Sequence, residues 1–167
     1  MKINLICVGS VKDASLGGVL SRYVAKLPYY MPFELTAIPD VKAPRSGGAE
    51  AQKQREGEAI LARTAPADFV VLFDERGREL TSRELAEFIG RKASVLPRNL
   101  VFVIGGPYGF SKEVYARADM QLSLSRMTFT HEMAIVIAAE QLYRAQTILR
   151  GEPYPVSYTH LTLPTKR

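Results

Sequence analysis

Apolar and polar positions along this chain fall into alternating blocks of two periods. Residues 2–8 alternate and then run apolar, which predicts a first strand, and Gly9 with Ser10 ends it. Over residues 15–27 the apolar side chains Leu16, Val19, Leu20, Tyr23, Val24 and Leu27 recur at helical spacing, and Pro28 stops the helix. Residues 33–38 form a second strand between Pro32 and Pro39; that framing favours a position at or near a sheet edge, since proline cannot donate to a ladder. Residues 42–48, KAPRSGG, read as a polar, mobile loop. The pattern AEAQKQREGEAILART over residues 49–64 predicts a charged, mostly solvated helix whose apolar residues gather at its end.

The second half repeats the alternation. Residues 68–73, DFVVLF, predict a third buried strand, with DERG as its turn. Thr81 and Glu84 have the spacing of a capping box for a helix through Ala93. Pro97, Arg98 and Asn99 lead into the β-branched run of residues 100–104, a strand that stops at Gly105, Gly106, Pro107 and Gly109. Ser111 is placed to cap a short helix through Ala118, and residues 120–124 form a fifth strand running into a loop of small and hydroxylated residues. The last helix, residues 129–149, is apolar nearly all round, which predicts burial in its own core and against a second subunit. Gly151 and Pro153 close it.

Five strands alternating with five helices predict a single α/β domain with a mainly parallel sheet. Ligands in such sheets sit beyond the carboxyl ends of the strands. Three loops meet there: the one after Phe73, the one at Gly105 to Gly109, and the one at Ser125 to Phe129. Glycine lets the backbone approach a bound molecule, and Pro107 stiffens its turn.

Composition narrows the chemistry. The 167 residues are 47% hydrophobic and 23% charged, ordinary for a soluble globular domain. No run approaches the roughly 18 apolar residues of a membrane span, and the N-terminus lacks a signal peptide's layout, so a cytoplasmic location is expected. Cys7, the single cysteine, lies in the first strand and reads as a buried, inert thiol. Residues 156–167, VSYTHLTLPTKR, break with the preceding style and resemble a translated sequencing adapter; residues 1–155 are taken as the domain and 156–167 as a non-native tail. Lys166 and Arg167 lie in that tail, so the formal charge of +5 becomes 20 basic against 17 acidic residues, +3, a weak pointer to nucleic acid. Outside the tail His131 is the sole histidine. One histidine and scattered acids supply no metal constellation. GGPYG has neither the spacing of a dinucleotide fingerprint nor the Gly-Lys-Ser/Thr of a P-loop, and by itself fits a plain tight turn equally well. His131 at a helix start fits either a structural hydrogen bond or chemistry.

The order IGGPYG, LSLSRMTFTHEM, AEQLYRA and RGEPY, together with the MKINLICVG start and the MPFEL and REGE segments, resembles the RlmH family of SPOUT-class ribosomal RNA methyltransferases over nearly the whole chain. The resemblance implies a SPOUT-type fold with a deep C-terminal trefoil knot, an exception to unknotted topology, and a homodimer. It implies S-adenosyl-L-methionine as cofactor, held by Phe73, Gly105, Leu124, Ser125, Arg126, Met127, Thr128 and Phe129. It implies methylation of N3 of a pseudouridine in large-subunit ribosomal RNA within assembled ribosomes, with no metal and no membrane partner. For handling the RNA it suggests His131, Arg144 and Tyr154, with Tyr143 nearby; Arg144 is placed equally to reach a phosphate or to pair with Glu140 one turn away. The chain departs from the family in lacking its Tyr-His-basic end after Tyr154, and in having Ile135 for an arginine and Thr130 for a proline. That missing end leaves open a cofactor- and ribosome-binding module without turnover; a related SPOUT enzyme acting on transfer RNA is the other alternative.

Overall fold

The computed structural model describes residues 1–40, 47–95 and 99–153. Pro97, Arg98, Tyr154, the tail and most of the polar loop at 42–48 lie outside those residues. Five strands, β1 (Ile3–Val8), β2 (Phe33–Ile38), β3 (Phe69–Glu79), β4 (Leu100–Ile104) and β5 (Met120–Ser123), alternate with five helices. The helices are α1 (Ala14–Lys26), α2 (Gly48–Leu61), α3 (Ser82–Val95), α4 (Lys112–Arg117) and α5 (His131–Leu149). The sheet runs β2-β1-β4-β3-β5, and every neighbouring pair is parallel. The α/β class is as expected, and β2 occupies an edge.

Period-two alternation sorts each strand's side chains to two faces. In β4, Leu100, Phe102 and Ile104 enter the core beneath α1, α3 and α5, while Val101 and Val103 enter a second core with Ile60 of α2 and Val114 of α4. β1 divides in the same way, Ile3, Leu5 and Cys7 to one face and Ile6 and Val8 to the other. A strand covered on both faces must be apolar at every position, which is why β4 reads as an unbroken run.

Local signals set most boundaries. The Asp13 carboxylate accepts from the Leu16 amide at 2.9 Å and starts α1. At α3, Thr81 and Glu84 satisfy each other's free amides. Pro28 does not end α1 abruptly, because proline is compatible with the first residues of a further turn; a 3-10 turn, Leu27–Tyr29, follows directly. The last helix starts two residues later than expected, since Thr130 is its N-cap and accepts from the Met133 amide at 3.4 Å.

The third strand also departs from expectation. DERG does not end it: Phe73 pairs with Ile104 and Leu122, the register then shifts, and Arg78 and Glu79 resume pairing against Leu122 and Ser123. Asp74 to Gly77 therefore form an excursion at the carboxyl end of one continuous strand. Glycine makes this possible, because a Cβ at position 77 would lie 2.6 Å from the Leu122 amide nitrogen. Helix α2 is charged on its outer face, but Glu56 and Gly57 are buried with Ile60, against the solvated helix expected there.

Candidate functional site

Parallel strands deliver all their carboxyl-end loops to one edge of the sheet. At that edge a cavity of about 780 Å³ opens between the DERG excursion, the glycine turn after β4, the loop after β5 and the start of α5. Phe73, Gly105, Leu124, Ser125, Met127, Thr128 and Phe129 line it, so seven of the eight residues expected to hold the cofactor share one wall system. Arg126 is exposed and does not line the cavity. Phe73 stacks on Phe102 beneath it, which fixes the apolar floor.

The glycine turn is pinned rather than loose. Gly106 and Gly109 form an antiparallel bridge, and Gly109 has φ of +81°, a conformation that favours glycine. Behind Gly106 lies the carboxylate of Glu56, so close that a Cβ there would fall 2.7 Å from both of its oxygens. Glu56 is 3% exposed; Gln52 Nε2 donates to its Oε2 at 3.1 Å, and its Oε1 has no partner among the described residues.

Also lining the cavity, Asp74, Arg76 and Tyr115 form a network. The Tyr115 hydroxyl donates to Asp74 Oδ2, the Arg76 amide donates to Oδ1 at 2.9 Å, and Arg76 Nη2 donates to the Tyr115 oxygen at 3.4 Å. Burial alone would raise the Asp74 carboxyl, but the Tyr115 hydrogen bond and the amide and guanidinium of Arg76 outweigh it and hold it below the usual carboxylate range. Burial and the Asp74 carboxylate raise the Tyr115 phenol in turn. The result is a fixed, ionised acid with a rigid donor set at the cavity wall. The sequence pattern reads DERG as a turn and leaves these groups unmarked. Charged residues at the carboxyl end of a buried strand are a signal for Asp74 and Arg76, whereas nothing local connects Tyr115 to a partner 41 residues away.

The residues expected to handle RNA separate into two places. His131 lines the cavity at the first turn of α5, and its buried Nε2 has no partner among the described residues. Arg144 lies thirteen residues further along α5, about 20 Å away at 1.5 Å per residue. It does not line the cavity, and its Nη1 donates to Thr147 Oγ1 at 3.2 Å. Tyr143 packs against Tyr23 and Tyr30 near the same end. There Tyr30 donates to Glu152 at 2.6 Å and Arg150 to the Tyr29 carbonyl at 3.0 Å, fastening the chain as it leaves the helix. Ile135, where the family resemblance calls for arginine, is buried in the core.

The family model described as "Predicted SPOUT methyltransferase" matches residues 1–155. A ribosomal RNA large subunit methyltransferase H from Parabacteroides distasonis is 45% identical over 154 residues, covering 92% of this chain and 98% of that protein. A protein of the same name from Christiangramia forsetii is 46% identical over the same coverage. The chain belongs to the RlmH family of SPOUT methyltransferases. Among solved structures, a probable methylase family protein from Haemophilus influenzae matches with a TM-score of 0.54 at 14% identity, over 96% of this chain and 74% of that one, and so shares the fold. In this SPOUT chain no helix among the described residues is long and apolar enough to cross a membrane. Nor do those residues include a cluster of three or more His, Cys, Asp or Glu that could hold a metal ion.

Proposed function

We propose that this SPOUT methyltransferase moves a methyl group from S-adenosylmethionine to N3 of a pseudouridine in large-subunit ribosomal RNA, on assembled ribosomes in the cytoplasm, as a homodimer with a C-terminal trefoil knot. The observation that carries the reading is the convergence of the three carboxyl-end loops on one cavity in a chain of this family. The names of its relatives supply the RNA class.

The residues present fit the cofactor. Phe73, Leu124, Met127 and Phe129 offer apolar surface for a purine ring, and the glycine turn offers backbone groups without side-chain obstruction. When bound, S-adenosylmethionine supplies an electrophilic methyl on a sulfonium. The chain's own contribution is to orient the nucleobase for in-line attack and to manage the N3 proton, since uridine-type nitrogens attack only as that proton leaves. His131 is the candidate for the second role, because it is the one histidine among the residues that line the cavity.

The separation of His131 from Arg144 supports the dimer. If both serve one reaction centre, a single subunit cannot supply them, because one helix holds them about 20 Å apart. Two antiparallel copies of α5 would bring the end of one against the start of the other. The exposed Met127, Phe129 and Met133 at its amino end suit such a contact.

The test is transfer of labelled methyl to ribosomes from cells lacking the modification, with calorimetry of cofactor binding on the same protein. Label in large-subunit RNA is expected, and His131→Ala should abolish transfer while leaving cofactor affinity within about threefold. Binding without transfer would favour a non-catalytic ribosome-binding module, label in transfer RNA the related enzyme, and absence of binding would overturn the reading.

A further inference from the structure

Glu56 is a buried acid behind the cavity wall that the mechanism leaves unused. It is 3% exposed, it makes no ion pair among the described residues, and a neutral amide is its sole hydrogen-bond partner there. A buried carboxylate in that state is unfavourable unless something positive compensates it. Asp74, a half-buried acid of the site, already has Arg76 and Tyr115. Lys53, one turn before Glu56 on α2, lines the cavity, but its ammonium is engaged by Glu50 at 2.8 Å.

Two features couple Glu56 to the cavity. Gly106 is a lining residue and touches the carboxylate, and at Gly57 a Cβ would fall 2.4 Å from Ser111 Oγ, so α2 is held tightly against the segment that follows the glycine turn. The charge therefore sits at fixed short range behind the backbone of the turn, away from water, where screening is weak.

We infer that Glu56 is a specificity-determining residue, whose buried negative charge behind Gly106 favours a cationic sulfonium cofactor over its neutral thioether product. This rests on the S-adenosylmethionine reading above. The consequence is selective release: methyl loss removes the sulfonium charge, and with it the attraction to Glu56, so the spent cofactor is held less tightly than the fresh one.

Calorimetry with S-adenosylmethionine, S-adenosylhomocysteine and sinefungin, whose amine replaces the sulfonium as a positive charge, tests this on the full chain. Glu56→Gln keeps the shape and the Gln52 contact while removing the charge. Affinity for the two cationic ligands should fall about tenfold, with that for the thioether changing less than twofold. Gly106→Ala, which must displace the carboxylate, should erode the same preference and serves if the first variant does not fold. Equal losses for all three ligands would mean that Glu56 merely props the turn, and unchanged affinities would mean that it does nothing there; either overturns the inference while the cofactor reading stands. Should the unaltered protein bind none of the three, the cofactor reading fails first and this inference with it.

Discussion

Cys7 illustrates how position overrides reactivity. Its thiol is buried in β1 between two neighbouring strands, and burial pushes its pKa up to about 12, so the reactive thiolate is suppressed. A thiol reagent at pH 8 should leave native protein unmodified and label one site per chain in denaturant; rapid native labelling would contradict the buried assignment. Asp74 shows the opposite case, a half-buried acid kept charged. Its carboxyl titrates lower in the folded chain than in the unfolded one, so its share of stability is complete above about pH 4 and disappears as pH falls through the folded value. Urea titrations should accordingly show Asp74→Asn destabilised at pH 7, with the gap to the parent narrowing below about pH 4. A gap independent of pH would assign the effect to packing alone.

Among the elements, β3 depends on one missing side chain. Gly77 passes within backbone contact of β5, where a Cβ would meet the Leu122 nitrogen at 2.6 Å and the Gln121 carbonyl carbon at 2.7 Å. Backbone cannot yield as a side-chain tip can, so Gly77→Ala should cost about 2 kcal/mol or more in thermal or urea unfolding. It should also disturb the Asp74–Tyr115 contact beside it. Gly18 is the contrasting case: it lies inside α1, a Cβ there would have nothing within 4 Å, and Gly18→Ala should stabilise by about 0.5–1 kcal/mol. Helix α5 links elements to site, since the cap at Thr130 sets where its first turn begins and hence where His131 stands. A proline expected at position 130 is replaced by a residue whose hydroxyl satisfies a free amide of that turn.

At the scale of the whole molecule, the distance along α5 makes the proposed dimer testable. Co-expressed His131→Ala and Arg144→Ala subunits, each inactive as a homodimer, should regain methyl transfer when mixed, because a mixed dimer carries one intact pairing of the two residues. Failure to complement, with dimers verified by light scattering, would place both residues in separate roles. Three loops far apart in sequence form the cavity only because parallel pairing aligns the carboxyl ends of β3, β4 and β5.

The alternation of the chain alone was enough to identify five strands, five helices, the capping box at Thr81 and the glycine turn, because these depend on neighbours within a few residues. It also located the cavity edge, since strands of one parallel sheet share a direction. Folding in three dimensions decided the rest. The order β2-β1-β4-β3-β5, the return of β3 to the same partner after DERG, the Tyr115–Asp74 bond and the burial of Glu56 all join residues distant in sequence. Their energies come from packing and desolvation between elements, which no local pattern records.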